Sequence, residues 1–258
     1  MANVMEQFRL DGRVAVITGG SRGLGYAMAL ALAQAGAVTV VASRHADEAG
    51  ESARRIAQES GVSSGRGCAV DVTREDSVKE LMDSVVRQYG RLDVLVNSAG
   101  INIRHPVAEF PLEEFNRIVQ TNLTGTWLCC RAVSSILVGQ KRGSVINVGS
   151  ALGFIGLAER TAYCASKAGV LGLTRTLALE WAPAGVRCNV LCPGPFLTDI
   201  NRPLLAHPEK VAAVVGQTAF NRWGELDEIG GSVVFLASDA SRYMTGAALT
   251  LDGGWTAR

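Results

Sequence analysis

Short apolar runs alternate with longer amphipathic stretches along nearly the whole chain. The first run is β-branched and ends at Thr18; a glycine-rich loop and a helix-type pattern at 26–35 follow it. The apolar runs predict strands at 14–18, 38–43, 67–71, 92–97, 143–149, 186–192 and 247–251, with helices between most of them. This order predicts an α/β fold, namely a doubly wound parallel sheet with helices on both faces.

Composition predicts one compact domain that binds neither nucleic acid nor an anionic membrane. No long linker or repeat interrupts the alternation, so residues 1–258 are expected to form a single domain. With 25 basic against 24 acidic residues, the chain has no electrostatic footprint for nucleic acid or an anionic membrane. Gln34 and Gly36 break the longest apolar region, and Glu6 and Arg9 interrupt any signal peptide, so a soluble cytoplasmic protein is expected.

Cysteine and histidine positions indicate neither disulfides nor a metal. The six cysteines at 68, 129, 130, 164, 188 and 192 lack paired Cys-x-x-Cys spacing, which favours reduced thiols. Cys164 directly follows Tyr163, but adjacent helix residues face different directions, so a nucleophilic role is disfavoured. The histidines at 45, 105 and 207 are far apart, and no metal site is expected.

A glycine loop joins the first strand to the first helix. Gly19, Gly23 and Gly25 follow a Gly-x-x-x-Gly-x-Gly spacing, which differs from the common Gly-x-Gly-x-x-Gly fingerprint. Glycines permit a tight turn and a close backbone approach, and a helix N-terminus offers free N–H groups to a pyrophosphate. We therefore expect a dinucleotide site here, although a merely flexible turn is the alternative.

A second motif lies in the helix predicted at 162–180. Tyr163 and Lys167 are four residues apart and project from the same helix face. A neighbouring ammonium favours the phenolate and lowers the pKa of a tyrosine, which makes it a usable general acid or base. Ser150, after the fifth predicted strand, supplies a second hydroxyl to polarise a carbonyl oxygen.

Six segments together resemble the motif set of the short-chain dehydrogenase/reductases. They are Thr18 to Gly25, Asn97 to Gly100, Asn122, Ser150, Tyr163 to Lys167, and Pro193 to Thr198. The resemblance extends from Leu10 to Trp255 and implies a Rossmann fold and an NAD(P)-dependent oxidoreductase acting on CH–OH groups. Ser98 stands where this family usually has a second asparagine. This difference affects only local hydrogen bonding beside the adenosine.

The resemblance also implies roles for individual residues. Tyr163 would donate the proton, Ser150 would orient the substrate carbonyl, Lys167 would lower the tyrosine pKa and bind the nicotinamide ribose, and Asn122 would hold a relay water. The residues expected to bind the cofactor are Gly19, Ser21, Arg22, Gly23, Leu24, Gly25, Ser43, Arg44, Asp71, Val72, Asn97, Ala99, Gly100, Tyr163, Lys167, Pro193, Gly194, Phe196 and Thr198.

The end of the second strand bears on the choice of cofactor. NAD sites usually place a carboxylate there for the ribose 2′-hydroxyl, whereas a 2′-phosphate needs a cation. Ser43 and Arg44 stand at this point, and Arg22 can approach from the glycine loop. NADP(H) is therefore preferred. The alternative is that Asp47 or Glu48 reaches the ribose, which leaves NAD(H) possible.

The substrate is predicted from two loops. Arg104, with Ser150 and Tyr163, is expected to bind a small-molecule carbonyl or alcohol, and the Arg104 guanidinium suits a carboxylate. Asn102, Asn201 and Arg202 are candidates for binding hydroxyls. These loops resemble the sugar-acid and polyol branch, which includes the gluconate 5-dehydrogenases. A 3-oxoacyl-thioester reductase and a dinucleotide-sensing scaffold are the alternatives.

Apolar residues on more than one face of two helices predict self-association. The helices carry residues 127–130 and 174–179. By resemblance to the family, the expected assembly is a homotetramer.

Overall fold

Seven parallel strands form one sheet in this computed structural model, which describes residues 3–62, 65–198, 201 and 205–257. The strand order is β3-β2-β1-β4-β5-β6-β7. The strands are β1 (Val14–Thr18), β2 (Val38–Ser43), β3 (Arg66–Ala69), β4 (Val94–Asn97), β5 (Gly143–Val148), β6 (Val186–Pro193) and β7 (Ala248–Leu251). All seven predicted strands are confirmed, with ends that shift by one or two residues.

Eight α-helices connect the described strands and cover both faces of the sheet. They are α1 (Gly23–Gln34), α2 (Ala46–Ser60), α3 (Glu75–Tyr89), α4 (Leu112–Val119), α5 (Gly125–Gln140), α6 (Thr161–Trp181), α7 (Pro208–Val215) and α8 (Gly230–Ala237). Helix α1 begins three residues earlier than the sequence pattern predicts, because the second half of the glycine loop already forms its first turn.

Two hydrophobic cores result from the two-residue periodicity of the strands. Along β1, Val14 and Val16 face one core while Ala15 and Ile17 face the other. The first core also contains the inner faces of α3, α5 and α6, and the second contains those of α1, α2 and α8. Each fully buried Val, Leu or Ile stabilises the fold by about 1.5–3 kcal/mol relative to exposure. The doubly wound α/β prediction is thereby confirmed.

The topology determines where a ligand site can form. The chain moves outward from β1 to β3, then crosses back to place β4 on the other side of β1. This reversal opens a crevice at the carboxyl ends of β1 and β4, which is the usual ligand site in open α/β sheets. Among the described residues, no helix is both long and apolar enough to cross a bilayer.

Candidate active site

The glycine loop packs tightly against the segment that follows β4. Gly19 has a φ of +66°, and a Cβ built on it would lie 2.8 Å from the Ala99 backbone. A Cβ on Gly25 would collide with the carbonyl oxygen of Gly19. Ala99 is held in this position by Thr18, whose hydroxyl accepts a 3.4 Å hydrogen bond from its N–H. Only glycine fits at these two positions.

The middle glycine of the motif, Gly23, borders an open space, here called the cradle, at the start of α1. Gly23 has a φ of +55°, and the nearest side chain to a Cβ built there is Thr198, at 3.8 Å. The first N–H groups of a helix have no acceptor within the helix, so those of Leu24 and its neighbours remain free to bind an anion. The Ser21 carbonyl accepts a 2.8 Å hydrogen bond from Ser52 of α2, which fixes the loop. These features fit a dinucleotide pyrophosphate.

Two arginines lie close in sequence to the strand ends: Arg44 follows β2, and Arg22 is in the glycine loop after β1. Arg22 and Arg44 are both exposed, and neither makes an ion pair or side-chain hydrogen bond with another residue that the structure describes. The Ser43 hydroxyl donates a 2.9 Å hydrogen bond to the His45 carbonyl, which shapes this turn. Asp47, the competing ribose ligand, is exposed in the first turn of α2. The guanidiniums of Arg22 and Arg44, which have no such partner among the described residues, fit a 2′-phosphate.

Asp71 and Val72 border the adenosine end of the crevice. Hydrogen bonds from Thr73 to the Asp71 carboxylate hold its pKa below the usual value, and the Arg44 charge adds to this effect. The Thr73 N–H and hydroxyl both donate to Asp71 Oδ1, at 2.9 and 2.7 Å. Val72 is buried and packs closely against Gly125 of α5. A Cβ built on Gly125 would lie 2.9 Å from the Val72 side chain.

Asn97 occupies the predicted strand end, but its side chain faces the protein interior. Its amide donates hydrogen bonds to Asn147 Oδ1 (2.9 Å) and to the Cys130 thiol (3.3 Å), and the residue is 3% exposed. Its Oδ1 atom has no hydrogen-bond partner among the described residues. Any contact of Asn97 with a cofactor must therefore come from its backbone.

Tyr163 and Lys167 lie on one face of α6, with Ser150 opposite them. Lys167 Nζ is 5.7 Å from the centre of the Tyr163 ring and donates a 2.7 Å hydrogen bond to the Val148 carbonyl. Burial lowers the pKa of Lys167 to about 8. Burial also raises the pKa of Tyr163, while a hydrogen bond with Ser150 and the charge of Arg160 oppose that rise.

The expected lowering of the tyrosine pKa by Lys167 is therefore wrong for this structure. Desolvation of the phenolate outweighs the favourable interactions, and Lys167 directs its ammonium to a backbone carbonyl. The sequence pattern indicates which groups are neighbours, but it does not include their burial. At neutral pH the phenol stays protonated, which is the form that donates a proton to a carbonyl oxygen.

Ser150 is positioned by the turn that follows β5. Its hydroxyl accepts a 3.1 Å hydrogen bond from the Leu152 N–H and so caps the short 3-10 turn Ala151–Gly153. The residue is 8% exposed, and its hydroxyl also forms a hydrogen bond with Tyr163.

Asn122 ties the loop after β4 to the helical layer. It lies in a one-turn π-helix, Gln120–Thr124, between α4 and α5; such bulges are frequent at functional sites. Its side chain accepts from the Ile101 N–H (2.8 Å) and donates to the Ile101 carbonyl (2.9 Å) and to Ser166 (3.1 Å). A Cβ on Gly100 would lie 3.3 Å from Asn122 Oδ1 and 3.8 Å from Lys167 Nζ. A relay water at Asn122 stays a prediction.

The segment after β6 closes the crevice from the other side. Pro193 ends the strand, and a Cβ on Gly194 would lie 2.5 Å from the Asp252 backbone. Phe196 is 4% exposed and packs in the second core, so its ring supports the wall. Thr198 is partly exposed and faces Gly23 across the cradle, which suits its predicted pyrophosphate contact.

Arg104 borders the open end of the crevice. Burial lowers the pKa of its guanidinium, and its side chain donates a 3.4 Å hydrogen bond to Asn201 Oδ1. Asn102, on the same loop, has a buried Oδ1 without a hydrogen-bond partner among the described residues. Arg202, the remaining candidate for binding substrate hydroxyls, lies outside the described residues.

The structure adds one residue that the sequence pattern did not identify. Arg160 directly precedes α6, is 8% exposed, and its charge acts on Tyr163. The available signal was an arginine three positions before the tyrosine, at the start of its helix. In the sequence, a buried arginine such as Arg160 cannot be distinguished from a solvated surface arginine. Only the burial in the structure separates them.

A separate cavity of about 530 Å³ lies at the amino ends of the strands, away from these residues. Its arginines have structural partners: Arg13 forms a 2.6 Å ion pair with Asp239, and Arg187 donates to the Leu236 and Ser238 carbonyls at the end of α8. This cavity is separate from the crevice, whose glycine loop and hydroxyl groups it does not include.

The thiols and carboxylates supply no further catalytic group. Burial raises the pKa of Cys192, close to Lys167, to about 11, so it is a neutral thiol at physiological pH. All six cysteines are free. Within the described ranges, no three His, Cys, Asp or Glu side chains cluster closely enough to hold a metal ion.

Comparisons with known proteins show the family of the chain. Residues 19–256 match the family model described as enoyl-(acyl carrier protein) reductase. The chain is similar to D-threitol dehydrogenase of Mycolicibacterium smegmatis (38% identical, covering 96% of this chain and 95% of that protein). It is also similar to the 3-oxoacyl-[acyl-carrier-protein] reductase of Synechocystis (37% identical, covering 95% and 97%).

The chain is also similar to a solved structure in both sequence and fold. The gluconate 5-dehydrogenase of Burkholderia cenocepacia, in complex with NADP and tartrate, superimposes with a TM-score of 0.95 at 34% identity. The match covers 99% of this chain and all of the other.

Proposed function

This chain belongs to the short-chain dehydrogenase/reductase family of oxidoreductases, and we propose that its substrate is a polyhydroxy acid such as gluconate or 5-ketogluconate. One observation supports this choice of substrate class. Arg104 holds a half-buried guanidinium at the open end of the crevice, and its only hydrogen bond to a described side chain is a long one to a neutral amide. A carboxylate suits such a group better than a neutral acyl chain does.

We also propose NADP(H) as the preferred cofactor. Gly19, Ser21, Gly23, Leu24 and Gly25 would hold its pyrophosphate, and Arg22 and Arg44 its 2′-phosphate. When bound, the nicotinamide supplies or accepts the hydride. The similar structure from Burkholderia cenocepacia contains NADP together with tartrate, a hydroxy acid, and this supports both proposals.

The residues of this chain then act on the substrate oxygen. Ser150 donates a hydrogen bond that orients the carbonyl, and Tyr163 Oη transfers its proton to that oxygen as the alcohol forms. In the reverse direction Tyr163 first loses its proton to solvent, and the phenolate then takes the proton of the substrate hydroxyl. Lys167 keeps its charge next to the phenol, and Asn122 fixes the loop that covers the lysine.

A substrate panel tests the proposal directly. Oxidation of NADPH and NADH is followed with 5-ketogluconate, neutral keto-sugars and an acetoacetyl thioester. Turnover of the keto acid well above the neutral compounds supports the proposal. Faster reduction of the thioester instead assigns the second candidate, a 3-oxoacyl-thioester reductase, for which the similarity to the Synechocystis enzyme is the specific observation.

A variant of Arg104 sharpens this test. Arg104→Ala is expected to raise the Michaelis constant for gluconate about 10- to 100-fold, since a hydrogen bond to a charged group contributes about 1.5–3 kcal/mol. A neutral polyol serves as the internal control, because general damage to the loop affects both substrates. Equal losses for the two would mean that Arg104 is structural. If the cofactor binds but no panel member turns over, the polyhydroxy-acid proposal is wrong, and a broader carbonyl reductase and the dinucleotide-sensing scaffold are the remaining alternatives.

A further inference from the structure

Arg160 is an enclosed guanidinium with few protein partners. It is 8% exposed, and its one side-chain hydrogen bond among the described residues goes to the Glu159 carbonyl at 3.3 Å. The Glu159 carboxylate is 4.0 Å away, on a side chain that is 57% exposed. An arginine has five N–H donors. Most of the donors of Arg160 are therefore available to a ligand.

A second guanidinium lies near the first. Burial, together with the positive charge of Arg104, lowers the pKa of Arg160 to about 10. The Glu159 charge acts on both arginines. Arg160 also interacts electrostatically with Tyr163, which follows it by three residues in the first turn of α6. Two cations and one exposed carboxylate leave this corner of the crevice with an excess of one positive charge.

The position of Arg160 does not stabilise the fold. A cation at a helix N-terminus interacts unfavourably with the helix dipole, and Arg160 precedes the first residue of α6 without a side-chain capping bond. The preceding residue, Glu159, has a φ of +63°, a region that is costly for a residue with a side chain. Burial and the nearby charge of Arg104 add to these costs. An arginine held against several unfavourable effects next to the proton donor indicates a role in ligand binding.

We propose that Arg160 and Arg104 together bind the carboxylate of the substrate, and that Arg160 makes the enzyme select acids over neutral alcohols. The inference rests on the proposed function, because it assumes a polyhydroxy acid. A carboxylate offers about four lone-pair sites, enough for two guanidiniums from different loops. One bound carboxylate also cancels the excess charge of this corner.

Binding and turnover of two matched compounds test the proposal. D-Gluconate and D-sorbitol have the same carbon skeleton and differ in the carboxylate. Binding to the NADPH-saturated protein, in which neither alcohol can be oxidised, is measured by calorimetry, and kcat and KM are measured for both compounds with NADP. Arg160→Gln is expected to weaken gluconate binding about 10- to 100-fold, the loss typical of a charged hydrogen bond, and to change the constants for sorbitol less than about threefold.

Three further variants separate binding from structure. Arg160→Lys keeps the charge and is expected to recover part of the affinity. Glu159→Gln removes the nearby negative charge and should tighten gluconate binding by a few fold, an effect in the opposite direction that a purely structural role does not produce. Arg87→Gln, the same change at an exposed position of α3, away from the crevice residues named above, is the matched control and should leave both compounds unaffected.

The outcomes distinguish the two proposals. If the wild type oxidises gluconate but Arg160→Gln leaves its affinity unchanged, or weakens gluconate and sorbitol equally, the role of Arg160 is overturned and the proposed function stands. A wild type that neither binds nor oxidises any polyhydroxy acid overturns both, and the wild-type measurements alone reveal it. If Arg160→Gln does not fold, Arg160→Lys and Glu159→Gln decide, and unchanged gluconate binding in both overturns the inference.

Discussion

Lys167 Nζ lies 5.7 Å from the centre of the Tyr163 ring while its hydrogen bond goes to the Val148 carbonyl. The two side chains share one helix face, as residues four apart must. Both are partly or fully withdrawn from water, and burial moves their pKa values in opposite directions, up for the phenol and down for the ammonium. Burial therefore keeps Tyr163 protonated as a proton donor and makes charged Lys167 costly to the fold.

Removing the phenolic hydroxyl tests the first part of this relationship. Tyr163→Phe is expected to lower kcat by a factor on the order of a hundred or more, because the substrate oxygen loses its general acid. NADPH affinity, measured by fluorescence titration, should stay within about twofold of the wild type. Tyr243→Phe, at a fully exposed tyrosine, is the matched control. Near-normal turnover of the Tyr163 variant would contradict the mechanism.

The charge of Lys167 should appear in the pH dependence of stability. Its pKa is about 8 in the folded protein, against an ordinary value of 10.5 for a lysine in water. The unfolded chain thus binds more protons between these values, and this contribution to stability rises as the pH increases through that window and is lost as the pH falls towards 8.

Lys167→Met removes this contribution. The free energy of unfolding of the variant minus that of the wild type should therefore fall by about 3 kcal/mol between pH 7 and pH 10.5, since one pKa unit corresponds to about 1.4 kcal/mol. Urea unfolding of both proteins across this range measures the difference, in which other titrating groups cancel. A difference that does not vary with pH would show that Lys167 keeps its ordinary pKa in the folded protein.

Cofactor choice depends on the cation after β2. Arg44→Asp replaces attraction by repulsion at the 2′-phosphate and should weaken NADPH binding by roughly 2–4 kcal/mol while sparing NADH. Calorimetric titration of both cofactors measures the change, and Asp47→Asn is the companion variant. If the wild type prefers NADH and Asp47→Asn weakens NADH, the carboxylate is the ribose ligand and the assignment to Arg44 is wrong.

Much of this molecule is predictable from sequence because its periodicities are simple. Buried parallel strands need apolar runs, and the glycine loop needs residues without a Cβ at Gly19 and Gly25, where close backbone contacts exclude one. Both signals are local. They locate the strand ends and hence the crevice.

Features that depend on three-dimensional burial were not predictable in this way. Asn97 stands at the expected strand end, yet its amide bonds to Asn147, which is distant in the chain. Arg160 has the sequence context of a surface residue but is enclosed by the fold. The pKa of Tyr163 follows from desolvation, which no spacing encodes.

Association of subunits is the last expectation. Leu179 of α6 is 78% exposed and Trp127 of α5 is 42% exposed, on helices whose other faces are buried in the first core. We propose that these faces pair between copies in a homotetramer, since exposed apolar surface is costly in water. Light scattering at micromolar concentration should report four subunits, and Leu179→Lys should lower the mass to that of a smaller species. Leu205→Lys, at an exposed leucine away from these helices, is the control and should leave the mass unchanged. A wild-type monomer at this concentration would show that the exposed faces remain unpaired.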